Sequence, residues 1–202
     1  LYKQCKSLAN NGYDVTLIVN DYKDDEIFDD IKIISTKFKW KNRLDRIINS
    51  RNKIYNKALE VNADIYHFHD PDLLFVGNRL KKRNKKVIFD SHEDVPKQIE
   101  MKYWIPKIFR KTISMLYRVL ENYSVKHYDG VISVTPSIVK RFSQINANSI
   151  MITNYPIIDI NEKIERNPMK TICFAGNINP KWNHVNIINS IEKIEGVRYL
   201  LA

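Results

Sequence analysis

No run of apolar residues in this chain approaches the roughly 18–20 that a membrane span requires. Its first residues, "LYKQCKSLANNG", contain nothing like the apolar core of a signal peptide. Cysteine is scarce: Cys5 and Cys173 stand alone and far apart. That excludes a disulfide framework and any cysteine-based metal motif, and fits two reduced thiols in a cytoplasmic protein. Acidic residues are the minority, 23 against 33 Lys and Arg, for a net charge of +10.

What is present describes a globular chain. Among its 202 residues 44% are hydrophobic and 28% charged, which is too apolar for disorder. The charge is uneven. Residues 21–30 carry six acids against one lysine, residues 36–57 carry eight Lys or Arg against Asp45 alone, and residues 79–86 carry six basic residues and no acid. A basic surface implies an anionic partner: nucleic acid, anionic lipid or a phosphorylated small molecule. No nucleic-acid recognition motif accompanies the charge, so no nucleic-acid partner is expected.

Short apolar runs alternate with helix-like segments. Strands are predicted at 13–19, 31–35, 63–69, 85–91, 130–134 and 149–156, and helices at 42–60, 71–83 and 105–127. Pro71 and Pro136 sit at first-turn positions, with Thr135 as an N-cap. Gly12 is placed to close the helix that opens the chain. Strand–helix alternation with continuous apolar strands predicts a doubly wound α/β domain around a parallel sheet. Its expected extent is residues 1–156. A polar stretch at 157–168 reads as a linker, and residues 169–202 as the first β-α-β of a second Rossmann-like domain. The abrupt beginning and end predict a fragment truncated on both sides, inactive by itself.

In doubly wound sheets ligands bind outside the carboxyl ends of the strands. Two segments, "DIYHFHDPDLL" (64–74) and "VIFDSHEDVP" (87–96), place His69, Asp70, His92, Glu93 and Asp94 at such ends. His67 and His69 share a strand face, so a metal site is one possibility and a metal-dependent hydrolase the function it would serve. Otherwise His67 is an ordinary strand residue and Asp70 caps the helix at Pro71. His92 has Asp90, Glu93 and Asp94 beside it. It can donate to a hydroxyl or phosphate oxygen while those carboxylates hold its orientation. Further on, "FAGNINPKWN" (174–183) is a strand, a turn at Gly176 and a helix start, suited to close backbone approach by an anion. It is neither a GxGxxG nor a P-loop.

In the helix at 105–127, Ile105, Ile108, Phe109, Ile113, Leu116, Val119, Leu120 and Tyr123 span an arc of roughly 140°. Lys107, Lys111 and Arg118 lie almost opposite. The arc fits a core-facing stripe with a solvated back. The alternative is docking on an anionic membrane surface, aided by Trp104 and by Phe38 and Trp40 in the other basic stretch.

In their order, "ADIYHFHDPDLL", "KKVIFDSHEDVPKQI", "GVISVTPSI", "TNYP" and "ICFAGNINPKWNHVNIINSI" resemble the family 4 glycosyltransferases, retaining enzymes of the GT-B fold. The resemblance implies transfer of a sugar from a nucleotide-diphosphate donor to a glycan or lipid-linked acceptor, without a cofactor or catalytic metal. It places His92 at the family's active-site histidine, contacting the donor sugar, and Asp70 in the same cleft. Gly176 and Asn177 correspond to the glycine turn of the donor domain. Asn177 and Trp182 stand where many members carry a basic residue, and Lys181 is one position early for a diphosphate contact. A nucleotide-sugar epimerase on the same fold is the nearest competitor. Work on surface or lipid-linked glycans also implies the inner face of the cell membrane.

Overall fold

A computed structural model describes residues 2–153, 155, 170–176, 178 and 182–201. The predicted linker at 157–168, Asn177 and Lys181 lie outside the described residues. The chain forms two compact units, residues 1–155 and 156–202.

In the first unit α1 (Tyr2–Asn10) leads into β1 (Val15–Val19). Gly12 ends α1 with φ at +85°. Its N–H donates to Ala9 O at 2.9 Å and that of Tyr13 to Leu8 O at 3.2 Å. This is the glycine-closed helix end the sequence predicts. β3 (Ile31–Ser35) pairs parallel with β1, and β2 (Glu26–Phe28) pairs antiparallel with β3. β2 lies in the acidic stretch and is exposed throughout, so no apolar alternation announces it.

A second sheet runs in the order β4 (Ile65–Phe68), β5 (Lys86–Ser91), β6 (Gly130–Ser133), β7 (Ser149–Met151), all parallel. Its crossovers are helical. α2 (Arg43–Val61) precedes β4, with Asn42 Oδ1 accepting from Asp45 N at 2.8 Å as its N-cap. After β4 a 3-10 turn, Pro71–Leu73, runs into α3 (Leu74–Lys81). α4 (Val95–Met101) and α5 (Lys107–His127) lie between β5 and β6, and α6 (Pro136–Ser143) precedes β7. Thr135 takes the N-cap position of α6 but makes no side-chain capping bond.

The core lies between this sheet and its helices, built from Leu74, Leu80, Val87, Phe89, Val125, Val131, Ile138 and Phe142. Tyr128 crosses it and donates from Oη to Leu74 O at 2.8 Å.

The long helix α5 corrects the core-facing expectation. Ile108 is 78% exposed, Leu116 66% and Val119 60%. The side turned inward is Ser114, Glu121, Ser124 and Val125. Ser114 Oγ donates to Pro96 O at 2.9 Å, Asn78 Nδ2 donates to Ser124 Oγ at 2.8 Å, and Arg141 Nη1 meets Glu121 Oε2 at 2.7 Å. Small serines allow close approach to α3 and α4, and Ser114, Ser124 and Glu121 each find a partner, although Glu121 Oε1 has none. The helix is held by hydrogen bonds on its polar side, leaving its apolar stripe outward.

The second unit contains β8 (Lys170–Phe174), α7 (His184–Ile191) and β9 (Val197–Leu201), with β8 and β9 parallel.

Candidate active site

The parallel pairing of β4 with β5 sets His67 against Ile88 and Phe68 against Phe89. One further step in that register brings His69 beside Asp90. Side chains alternate across a strand, so His67, His69, Asp90 and His92 fall on one face of two neighbouring strands. Asp90 is the buried centre, 1% exposed. Its Oδ2 lies 3.4 Å from His67 Nε2 and 3.2 Å from His69 Nδ1, and its Oδ1 lies 3.4 Å from His92 Nε2. His69 Nδ1 and His92 Nε2 are 3.0 Å apart. From α1, Gln4 Nε2 donates to Asp90 Oδ2 at 3.0 Å.

The electrostatics follow from this packing. Burial by itself raises the Asp90 carboxyl, but His67, Gln4, His69 and His92 outweigh it and hold the group down at about 2. Burial pushes the His69 imidazole down to about 4, against the pull of Asp90 and with His67 and His92 adding to the fall. At neutral pH the centre is therefore a carboxylate with a neutral His69 beside it.

His92 is the most exposed of the three histidines, its side chain 42% accessible. With His69 it borders a shallow concavity that also touches Pro71, Phe89, Ser91 and Glu93. Ser91 is pinned from behind, its carbonyl accepting from Ser133 Oγ at 2.6 Å. A ligand in the concavity meets a donor-capable imidazole backed by a buried negative charge.

The other expected residues have structural partners. Asp70 Oδ1 accepts from Asp72 N at 2.8 Å and caps the 3-10 turn. Asp94 Oδ1 accepts from Lys97 N at 3.3 Å and caps α4. Glu93 Oε2 accepts from Gln98 Nε2 at 2.6 Å. Gly176 has φ at +156°, a conformation open to glycine, with the Phe174 ring 3.4 Å from where a Cβ would stand. His184 is buried in the second unit, its Nδ1 2.8 Å from Tyr199 Oη.

Of the residues proposed for a metal, His67 and His69 converge, but their carboxylate partner is Asp90 and not Asp70, Glu93 or Asp94: the donor atoms of these three all lie within 4.8 Å of one another. Asp90 is the residue that the strand-end inventory undervalues. Its place two residues before His92, on the same strand face, is the signal for it.

No curated protein sequence matches the chain. The sequence profile of Glycosyltransferase Family 4 matches residues 1–160. Among solved structures, sucrose-phosphate synthase from Thermosynechococcus elongatus is similar, at 13% identity and a TM-score of 0.67, over 98% of this chain and 54% of that one. The chain thus spans about half the length of that structure, and the likeness supports the same Rossmann-like α/β fold of GT-B type.

Proposed function

Because the chain belongs to glycosyltransferase family 4, we propose that it forms the acceptor-side wall of an enzyme that moves a sugar from a nucleotide-diphosphate donor to a glycan or lipid-linked acceptor with retention of configuration. The carrying observation is the convergence of His69 and His92 on buried Asp90 at the carboxyl ends of β4 and β5. In this reading His92 donates a hydrogen bond to a hydroxyl of the donor sugar, and Asp90 holds the ring in place. Asp70 and Asp94 shape the same rim through their capping bonds, and Glu93 through its bond from Gln98. The bond from the anomeric carbon to the diphosphate breaks, the acceptor oxygen takes its place, and the acceptor's proton passes to the departing phosphate. Protein dipoles and cations that stabilise the developing charge lower the barrier. Gly176, Asn177 and Lys181 are assigned to the diphosphate side, and the step is assigned no metal and no other cofactor.

The acceptor reading places an anionic lipid surface against the outer face of α5. Ile108, Met115, Leu116 and Val119 are exposed, as are Tyr103 and Trp104 before the helix. Lys107, Lys111 and Arg118, across the helix from that arc, are exposed as well. An exposed apolar stripe with aromatic anchors on a helix that also carries cations matches the chemistry of an anionic bilayer interface. Among the described residues no helix is long and apolar enough to cross a membrane.

Thermal melting of the full-length protein across a panel of nucleotide sugars tests the transfer reading. Stabilisation by one nucleotide sugar, undiminished by EDTA and reduced in His92→Ala, is expected. A protein that responds to no nucleotide sugar refutes it.

A further inference from the structure

The His67–His69–Asp90–His92 cluster has a capacity that sugar transfer does not use. We propose that it binds one divalent first-row transition ion, zinc above all, through His67 Nε2, His69 Nδ1 and the Asp90 carboxylate, with His92 Nε2 as fourth ligand. Zinc bonds to imidazole nitrogen and carboxylate oxygen are about 2.0–2.2 Å long, which places neighbouring ligand atoms of a tetrahedron roughly 3.3–3.5 Å apart. His67 Nε2 and His69 Nδ1 lie 3.4 and 3.2 Å from Asp90 Oδ2, and these three residues offer donor atoms all within 4.8 Å of one another. His92 Nε2 lies 3.4 Å from the other carboxylate oxygen, Oδ1, and 3.0 Å from His69 Nδ1, so it joins as fourth ligand by rotation of its ring.

Two of these atoms have only ion-pair contacts, at 3.4 Å, and no hydrogen bond. His67 Nε2 and Asp90 Oδ1 are buried and have no hydrogen-bond partner among the described residues. Leaving a carboxylate oxygen and an imidazole nitrogen buried and unbonded is costly, and one cation satisfies both. Gln4 supplies the outer support that ligating carboxylates usually have, donating to Asp90 Oδ2 at 3.0 Å. The donor set selects the ion. Three imidazoles disfavour Mg²⁺ and Ca²⁺, which take oxygen, and the lack of thiolate disfavours Cu⁺. Adjacent strands hold the ligands, and the concavity beside His69 and His92 gives a route in.

Occupancy engages the ring nitrogen of His92 that faces Asp90 and leaves the other as an N–H donor, so bound metal and donor sugar would share one side chain. This consequence rests on the transfer reading; the metal site does not.

The test is metal titration of the chelator-stripped protein, with no sugar substrate present. Cobalt is expected to bind at one equivalent with the intense visible absorption of a four-coordinate ion, and zinc to displace it. His67→Ala and His69→Gln, each confirmed as folded by circular dichroism, are expected to lose the band. Gln4→Ala is expected to weaken zinc about 10–100-fold, as removal of an outer-shell partner does. His127→Ala, on an exposed helix end, is expected to bind as wild type does. Zinc-edge X-ray absorption on the wild-type complex needs no variant and is expected to show imidazole scattering. Absence of stoichiometric cobalt binding, binding that survives both histidine substitutions, or a zinc shell without imidazole overturns the proposal. In those cases the cluster serves only to position His92.

Discussion

His69 Nδ1 lies 3.2 Å from the buried carboxylate of Asp90 and 3.0 Å from His92 Nε2, so one neutral imidazole sits between the charged centre and the histidine at the rim. The arrangement joins stability to pH through two groups.

Acid is expected to destabilise the protein in two steps. Asp90 titrates at about 2 in the folded state against an ordinary 3.8, so its contribution is complete above pH 3.8 and is lost as pH falls toward 2. That shift corresponds to about 2 kcal/mol. His69 titrates at about 4 against an ordinary 6.5, so below pH 6.5 the unfolded chain binds a proton that the folded chain resists, and stability falls until about pH 4. Urea unfolding from pH 7 to 2 on chelator-stripped protein is expected to show both declines. Asp90→Asn is expected to remove the lower one; an unchanged profile in that variant would contradict the assignment.

Arg141 and Glu121 form an ion pair in which the carboxylate side chain is 0% exposed. Burial pushes the Glu121 carboxyl up, with the Arg141 guanidinium opposing it. Arg141→Met leaves that acid buried and unpaired, and is expected to cost about 3–5 kcal/mol. Adding Glu121→Leu is expected to recover most of the loss. A double-mutant cycle by denaturant unfolding reads the coupling directly.

Gly77 has no room for a side chain. A Cβ there would stand 2.6 Å from Tyr128 Oη and 2.8 Å from Phe68 Cε1. Gly77→Ala, although more helix-favouring in isolation, is expected to destabilise by about 1–3 kcal/mol through overpacking. Tyr128→Phe in the same background removes the closest contact but leaves Cζ of that ring 2.9 Å away and gives up the bond to Leu74 O, so no recovery is expected in chemical denaturation.

The outer face of α5 is expected to bind membranes without supporting the fold. Ile108→Ser combined with Val119→Ser replaces two exposed side chains, so unfolding free energy is expected to change by less than about 1 kcal/mol. Co-sedimentation with vesicles containing anionic lipid is expected to fall steeply in the same variant, and in Lys107→Glu with Lys111→Glu. Unaltered sedimentation would remove the lipid surface from the proposal.

Asp70 separates structural from chemical roles. Asp70→Ala removes the side-chain acceptor for Asp72 N and is expected to cost about 1 kcal/mol, while Asp70→Asn keeps it. Equal loss of turnover in both, with stability restored in Asn, would assign a role to the charge itself.

Local signals in the chain carried much of the fold. Gly12 after a helix, Pro71 and Pro136 in first turns, and apolar runs at 31–35 and 85–91 each act over a few residues, and the elements appear where they point. β2 and α4 escaped because an exposed three-residue strand and a seven-residue helix have no period long enough to register. The strand-end histidines were legible too, since alternation puts His67 with His69 on a common face.

Side-chain period and chain punctuation are properties of neighbours in sequence, and by themselves they determined the α/β order and the strand-end position of His92. Which way α5 faces and what lies at the centre of the site were settled only in three dimensions. The apolar arc of α5 specifies an amphipathic helix but not its inward side. Ser114, Ser124 and Glu121 won that side because Pro96, Asn78 and Arg141 supply bonding partners there. Asp90 gained its importance in the same way: the register of β4 on β5 gathered three imidazoles around one carboxylate that a single strand would leave as an ordinary acid.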